Sequence, residues 1–135
     1  MSEDTSTKLH HAIKRGDALA VAHYLESGGD ANLRGDSGST LLMLAAQEGH
    51  RPIIDLLLAA GADIEATSDH LWGAVAFAAI AGHRSVVEHL LDRGARLPAA
   101  APSQLIGLLS HYGEKRQTIV DLLQAREFGS AAQKV

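Results

Sequence analysis

The sequence contains no cysteine, three prolines and few aromatic residues: one Trp, two Tyr and two Phe. The absence of cysteine excludes disulfide bridges, thiolate metal sites and a cysteine nucleophile. No apolar run approaches the roughly 18 residues that a transmembrane helix needs, so no membrane association is expected. The first residues, MSEDTSTK, lack the apolar region of a secretory signal, and we therefore expect a cytoplasmic protein.

The charge is mildly acidic and evenly spread. Sixteen acidic residues face 12 Lys and Arg, for a formal net charge of −4. No basic run or stripe occurs, and nucleic-acid binding is not expected because such binding requires clustered positive charge. A hydrophobic fraction of 46% is enough for a folded domain rather than a disordered chain.

One string recurs along the chain at a fixed spacing. It is clearest from Gly49 to Glu65, GHRPIIDLLLAAGADIE. It returns from Gly82 to Pro98, and it stands at the same distance upstream in a more divergent form, from Gly16 to Asn32. A period of about 33 residues is typical of stacked helical repeats, so the chain is predicted to be an all-α solenoid.

The first two repeats each contain two short helical patterns separated by a glycine. In the second repeat, Thr40 is placed to cap the first helix and Pro52 lies in the first turn of the second. The predicted core of that second helix comprises Ile53, Ile54, Leu56, Leu57 and Leu58. In the first repeat the equivalent helix is predicted to turn inward Leu19, Val21, Ala22, Tyr24 and Leu25.

The segment Gly38 to Ala66 resembles an ankyrin repeat. The matching residues are Thr40, Leu42, Ala45, Ala46, Gly49, His50, Ile53, Ile54, Leu57, Leu58, Gly61, Ala62 and Asp63. Leu41 and Met43 replace the proline and histidine of the family pattern. The resemblance implies stacked helix-turn-helix units with protruding turn fingers, and a concave face formed by the fingers and the first helices.

The resemblance divides the chain into four repeats, at about 5–34, 35–67, 68–100 and 101–126, within one domain at 7–126. Residues 1–6 are predicted to fray, and residues 127–135 to form a flexible tail. The third repeat departs from the pattern because Gly73 replaces the capping threonine and Leu71 the turn glycine. Residues 97–104 are predicted to be irregular, either a linker or a reshaped turn, and the fourth repeat retains only a second-helix pattern.

The eight histidines do not form a metal-binding pattern. His50 and His83 occupy the same place in successive repeats, and the resemblance implies that they hydrogen-bond a neighbouring turn. No catalytic motif is present: the sequence has no GxSxG, no P-loop and no dinucleotide-binding glycine pattern. We therefore expect neither an enzyme nor a bound cofactor or metal.

The resemblance places partner-binding residues on the finger tips and on the concave side of the first helices. These positions are Lys14, Arg15, Arg34, Asp36, Ser37, Ser39, Gln47, Glu48, Thr67, Asp69, His70, Trp72 and Ile80. Trp72, the only tryptophan, and Ile80 are expected to form an exposed apolar patch. In a competing interpretation, Trp72 folds inward and covers the altered turn of the third repeat.

These patterns predict a monomeric, non-enzymatic module that binds a partner protein. It would act either as an adaptor or as an inhibitor, for instance a neutralising protein of the immunity type. The alternative is a small-ligand sensor or an accessory subunit of an enzyme, in which Asp69, His70 and Trp72 gather a ligand under the third finger.

Overall fold

Eight α-helices follow one another along the part of the chain that the computed structural model describes, residues 5–35, 38–69, 72–95 and 101–132. They are α1 (Thr5–Arg15), α2 (Ala18–Glu26), α3 (Leu41–Glu48), α4 (Arg51–Ala59), α5 (Ala74–Ala81), α6 (Arg84–Asp92), α7 (Ala101–Ser110) and α8 (Glu114–Ala132). Successive pairs form four antiparallel hairpins. The described residues therefore form the predicted all-α stack.

The odd-numbered helices form one layer and the even-numbered helices form another. Helices α1, α3, α5 and α7 pack in sequence order, and α2 packs on α4 and α6 on α8. Contact is closest between α3 and α5, where Ala45, Ala46, Ala78 and Ala79 are fully buried. Small side chains at these positions let the first helices approach one another closely.

The second repeat caps its first helix with side chains. The backbone N–H of Met43 donates to Thr40 Oγ1 at 3.2 Å, and the N–H of Thr40 donates to Met43 Sδ at 3.4 Å. This confirms Thr40 as the N-cap. In the third repeat Gly73 holds that position with no side-chain hydrogen bond, although its backbone is extended like that of Thr40.

Helices α4 and α6 contribute large aliphatic side chains to the core at the centre of the stack, beside the buried residues of α3 and α5. Ile53, Ile54 and Leu57 are buried as predicted, whereas Leu56 and Leu58 are only half-buried. The prediction for Leu19 is wrong, since its side chain is 84% exposed. Leu19 holds the same repeat position as the exposed Pro52, so the repeat period itself directs this position outward.

The fourth repeat is more complete than the sequence indicated. Residues 101–104 begin helix α7, so the prediction of an irregular segment is wrong there, and the repeat contains a first helix as well as a second. Leu105 and Leu109, one turn apart, are fully buried against the stack and explain why this helix forms.

At the ends, α1 begins at Thr5 and α8 continues to Ala132, so residues 127–132 lie in a helix.

Two histidines join consecutive repeats. His50 Nε2 donates to the carbonyl oxygen of Lys14 at 3.3 Å, and His83 Nε2 donates to that of Gln47 at 2.9 Å. Each bond satisfies a carbonyl in the last turn of the preceding first helix, a group that has no partner within its own helix. The structural role predicted for both histidines is therefore confirmed.

Arg116 takes the corresponding position in the fourth repeat. Its Nε and Nη2 donate to the carbonyl oxygen of Ile80 at 3.3 and 3.1 Å, and its guanidinium lies 5.5 Å from the ring centroid of Tyr112. The guanidinium also covers Gly82, where an added Cβ would fall 2.7 Å from Cζ. One contact thus recurs at the same place in three consecutive repeats, made by two histidines and then by an arginine.

Candidate binding face

The candidate binding face, here called the inner face, consists of two fingers and the exposed sides of α1, α3 and α5. The first finger connects α2 to α3, and the second connects α4 to α5. Each finger is closed by one antiparallel bridge, Arg34 with Thr40 in the first and Thr67 with Gly73 in the second. The second finger keeps this pairing although its sequence departs from the repeat pattern.

Arg34 ties the two fingers together. Its Nη1 donates to the carbonyl oxygen of Gly38 at 2.7 Å and to that of Thr67 at 2.8 Å. Arg34 and Thr67 were both predicted to contact a partner, and the structure shows that they already contact each other. The exposed Asp69 extends this contact, because its side chain packs on Gly38, which has a positive φ of 69°.

A second tie lies at the base of the fingers. Asn32 Oδ1 accepts the backbone N–H of Asp63 at 2.7 Å, and Asn32 Nδ2 donates to the carbonyl oxygen of Gly61 at 3.1 Å. Asp30 and Asp63 each accept a backbone N–H from the residue two positions later, which shapes the two turns in the same way. The described parts of the two fingers are therefore held to each other at two places, by Asn32 and by Arg34.

A groove of about 220 Å³ runs between α1, α3 and α5 on the inner face. Its lining residues are His10, Lys14, Ser39, Met43, Leu44, Gln47 and Phe77. Three of these, Lys14, Ser39 and Gln47, were predicted binding residues, and the fold brings them together. Lys14 and Gln47 are exposed, whereas Ser39 is half-buried.

The sequence analysis missed His10, Met43, Leu44 and Phe77 as groove residues. Phe77 is half-buried and holds the same repeat position as Leu44, which is also half-buried. It precedes Ile80 by three positions and so lies on the same side of α5. That spacing, applied to the predicted Ile80, would have identified Phe77.

Trp72 and Ile80 do not form the exposed patch that was expected. Both side chains are half-buried and pack against the core. The carbonyl oxygen of Trp72 accepts the N–H of Ser68 at 2.9 Å, just as that of Ser39 accepts the N–H of Gly35 at 2.8 Å in the first finger. Part of each side chain stays accessible, so both interpretations of Trp72 retain a physical basis.

The other predicted residues lie around this groove. Arg15 is exposed and pairs with Asp17, its Nη2 lying 3.5 Å from Oδ2. Glu48 is half-buried at the end of α3. The predicted residues Asp36, Ser37 and His70 fall outside the residues that the structure describes.

A larger cavity of about 420 Å³ lies at the other side of α1, at the end of the stack. Its walls come from α1, α2 and the turn after α2, and are lined by Lys8, Leu9, Ala12, Ala20, His23, Tyr24, Ser27, Gly28 and Gly29. One of its lining residues, Ala20, holds the position of the larger Ile53 in the second repeat. Asp69 and Trp72 line neither cavity.

Within the described residues, no group of three or more His, Asp or Glu is arranged to hold a metal ion. His89 instead pairs with Asp55 on the outer helices, with Nε2 2.6 Å from Oδ1. Among the same residues, none of the helices combines the length and apolar character that crossing a bilayer requires.

The repeat geometry agrees with a comparison of known families. A family description that reads "Ankyrin repeats (3 copies)" matches residues 9–100, more than half of the 135 residues. The chain belongs to the ankyrin-repeat family. Ankyrin repeats are generally protein–protein interaction modules and typically have no enzymatic activity. A comparison with curated proteins gave no match to this ankyrin-repeat protein.

Proposed function

We propose that this ankyrin-repeat protein is a non-enzymatic module that docks a partner protein on its inner face. The observation that carries the proposal is the groove between α1, α3 and α5, where the predicted binding residues Lys14, Ser39 and Gln47 meet the half-buried Leu44 and Phe77. Apolar side chains surrounded by polar ones are the usual composition of a protein interface.

Hydrogen bonds that join neighbouring repeats along the inner face support this proposal. The ties made by Arg34 and Asn32 hold neighbouring fingers, and the histidine contacts hold neighbouring first helices. A surface that is already ordered loses little conformational entropy when a partner binds, which favours affinity.

Affinity capture with the intact chain tests the proposal, with Gln47→Trp as the inner-face variant. Gln47 is exposed, and its backbone carbonyl oxygen, rather than its side chain, accepts the hydrogen bond from His83. A larger side chain at this position should therefore narrow the groove without removing a structural contact. We expect the captured partner to be lost or weakened by about tenfold, the effect of more than 1 kcal/mol that is typical of central interface residues.

The matched control is Gln117→Trp on α8. Gln117 is exposed, and its hydrogen bond to Asp121 Oδ1 at 3.0 Å is an exposed contact of a kind that contributes only about 0.2–0.5 kcal/mol to a helix. This variant should capture the partner as well as the unmodified chain does. Docking on the inner face would be contradicted if both variants lost capture to the same extent, or if neither variant lost it.

The partner's own activity separates the two roles that we propose. An inhibitor should abolish the activity of an enzymatic partner at one-to-one stoichiometry, whereas an adaptor should leave it intact and recruit a second protein. We further propose that the chain is monomeric and cytoplasmic. Light scattering of the purified chain tests the first, since a mass well above 14.2 kDa would contradict it.

A further inference from the structure

The charge of the groove comes from one side only. Its seven lining residues include one permanent cation, Lys14, together with His10, and no carboxylate. Helix α1 as a whole contains Lys8, His10, His11, Lys14 and Arg15 and no acidic residue. This stands out in a chain whose formal net charge is −4.

The opposite side of the groove is apolar. Helix α5 reads AVAFAAIA, without any charged or polar side chain. Helix α3 lies between the two and contributes the neutral Gln47, with Glu48 as its only charged residue. Lys14, Gln47 and Ile80 hold the same position in three successive repeats and lie on the neighbouring helices α1, α3 and α5. Their side chains form a row that is cationic at α1, a neutral amide at α3 and apolar at α5.

From this row we infer the chemistry of the partner, and the inference rests on the proposed function. The inner face binds a protein segment that places a carboxylate side chain beside Lys14 in the groove and a large apolar side chain against Phe77, which lines the groove, and Ile80, which lies beyond it one turn along α5. The cationic side chains of α1 attract an acidic segment, whereas the net negative charge of the rest of the chain repels it.

The dimensions of the groove favour a peptide segment over a small molecule. Its volume of about 220 Å³ is below the roughly 300–1,000 Å³ of typical small-molecule sites. Neighbouring packed helices lie about 8–10 Å apart, so Lys14 and Ile80 are separated by roughly 16–20 Å. An extended chain spans that distance in about five or six residues. The partner segment should therefore carry its acidic and apolar residues at about that separation.

The test is selection of random 12-residue peptides displayed on phage against the intact chain, followed by affinity measurements on the enriched peptides. Lys14→Gln and Ile80→Gln each install the residue that the second repeat has at the same position, Gln47, so both fit the repeat backbone. The matched control is Lys8→Gln, which removes a lysine from α1 at the end cavity and outside the groove.

The enriched peptides should pair Asp or Glu with a large apolar residue about five or six positions away. Lys14→Gln should weaken their binding about two- to fivefold, and Ile80→Gln about tenfold. Lys8→Gln should leave affinity unchanged. Raising the ionic strength should weaken binding to the unmodified chain and have little effect on Lys14→Gln, because salt screens the charge pair.

The outcomes separate the partner chemistry from the proposed function. Enriched peptides without acidic residues, or affinities that Lys14→Gln leaves unchanged while Ile80→Gln lowers them, overturn the partner chemistry and leave inner-face docking in place. Peptides that are insensitive to Lys14→Gln, Ile80→Gln and Gln47→Trp alike overturn both. A selection that enriches no peptide overturns the partner chemistry, and the capture experiment then decides the proposed function.

Discussion

Helices α4 and α6 are nearly interchangeable, whereas the helices that precede them, α3 and α5, differ in chemistry. Ile53, Ile54 and Leu57 of α4 correspond to Val86, Val87 and Leu90 of α6, and all six are buried. By contrast, α3 begins at a capping threonine and ends in Gln47 and Glu48, whereas α5 begins at a glycine and is apolar throughout.

The difference shows which part of a repeat the stack constrains. Each second helix buries its apolar side in the core, so only residues of similar size and polarity are tolerated there. The inner sides of the first helices border solvent and hold the fold through backbone carbonyls, as Gln47 and Ile80 do. Their side chains are therefore able to change without loss of the stack, which makes them suited to recognition.

The largest effects should come from the shared core. Leu57→Ala and Leu90→Ala remove fully buried side chains from equivalent places, so each should lower the free energy of unfolding by about 2–5 kcal/mol. Urea denaturation followed by circular dichroism measures both. The exposed Leu19 serves as the control, and Leu19→Ala should change the value by no more than about 0.5 kcal/mol. A small loss at only one of the two core leucines would show that the two repeats are unequal in their cores.

Glycines with positive φ distinguish backbone strain from contact between repeats. Gly49 and Gly61 have φ of 77° and 95°, but only at Gly49 would a Cβ approach the His83 ring, at 2.9 Å. Alanine should cost about 1–2 kcal/mol at both positions because of the left-handed conformation. At Gly49 the loss should be larger by about 1 kcal/mol, since His83 must give up its hydrogen bond. Equal losses in thermal or urea unfolding would mean that the His83 contact adds nothing.

Trp72 and Ser39 occupy the same place in the third and second repeats, which makes Trp72→Ser an exchange between them. Trp72 is half-buried against the core, and its removal should lower stability by about 1–2 kcal/mol, less than for a fully buried aromatic residue. An unchanged melting temperature would rule out the covering role. If Trp72 is also a binding residue, the free energy of binding to the captured partner should become less favourable by about 2 kcal/mol.

The smallest effect concerns the missing cap. The backbone of Gly73 is extended, and a Cβ there would meet only the carbonyl oxygen of Ala66 at 3.5 Å, so threonine fits. Gly73→Thr should raise stability by about 0.5–1 kcal/mol, by capping α5 and by restricting the unfolded chain. Gly73→Ala is the control because it restricts the chain without a hydroxyl. Alanine stabilising as much as threonine would contradict the capping explanation.

Much of the architecture is local and periodic, and the sequence was sufficient to predict it. The repeat period, the Thr40 cap, and the shared position of His50 and His83 are visible in the residue types. Each depends on a short motif whose physical role is the same wherever it occurs. The repeat period also indicates that Leu19 is exposed, because Leu19 aligns with the exposed Pro52. The helical pattern of that single segment, taken alone, predicted the opposite.

The tertiary structure decided which side chains meet across repeats. Lys14, Gln47 and Phe77 share one groove only because packing sets α1, α3 and α5 side by side. Arg34 reaches the carbonyl oxygen of Thr67 in the next repeat for the same reason. Formation of α7 likewise depends on burial of Leu105 and Leu109 against the stack. A repeat pattern specifies each unit, but a surface made by several units depends on the distances between them, which only packing determines.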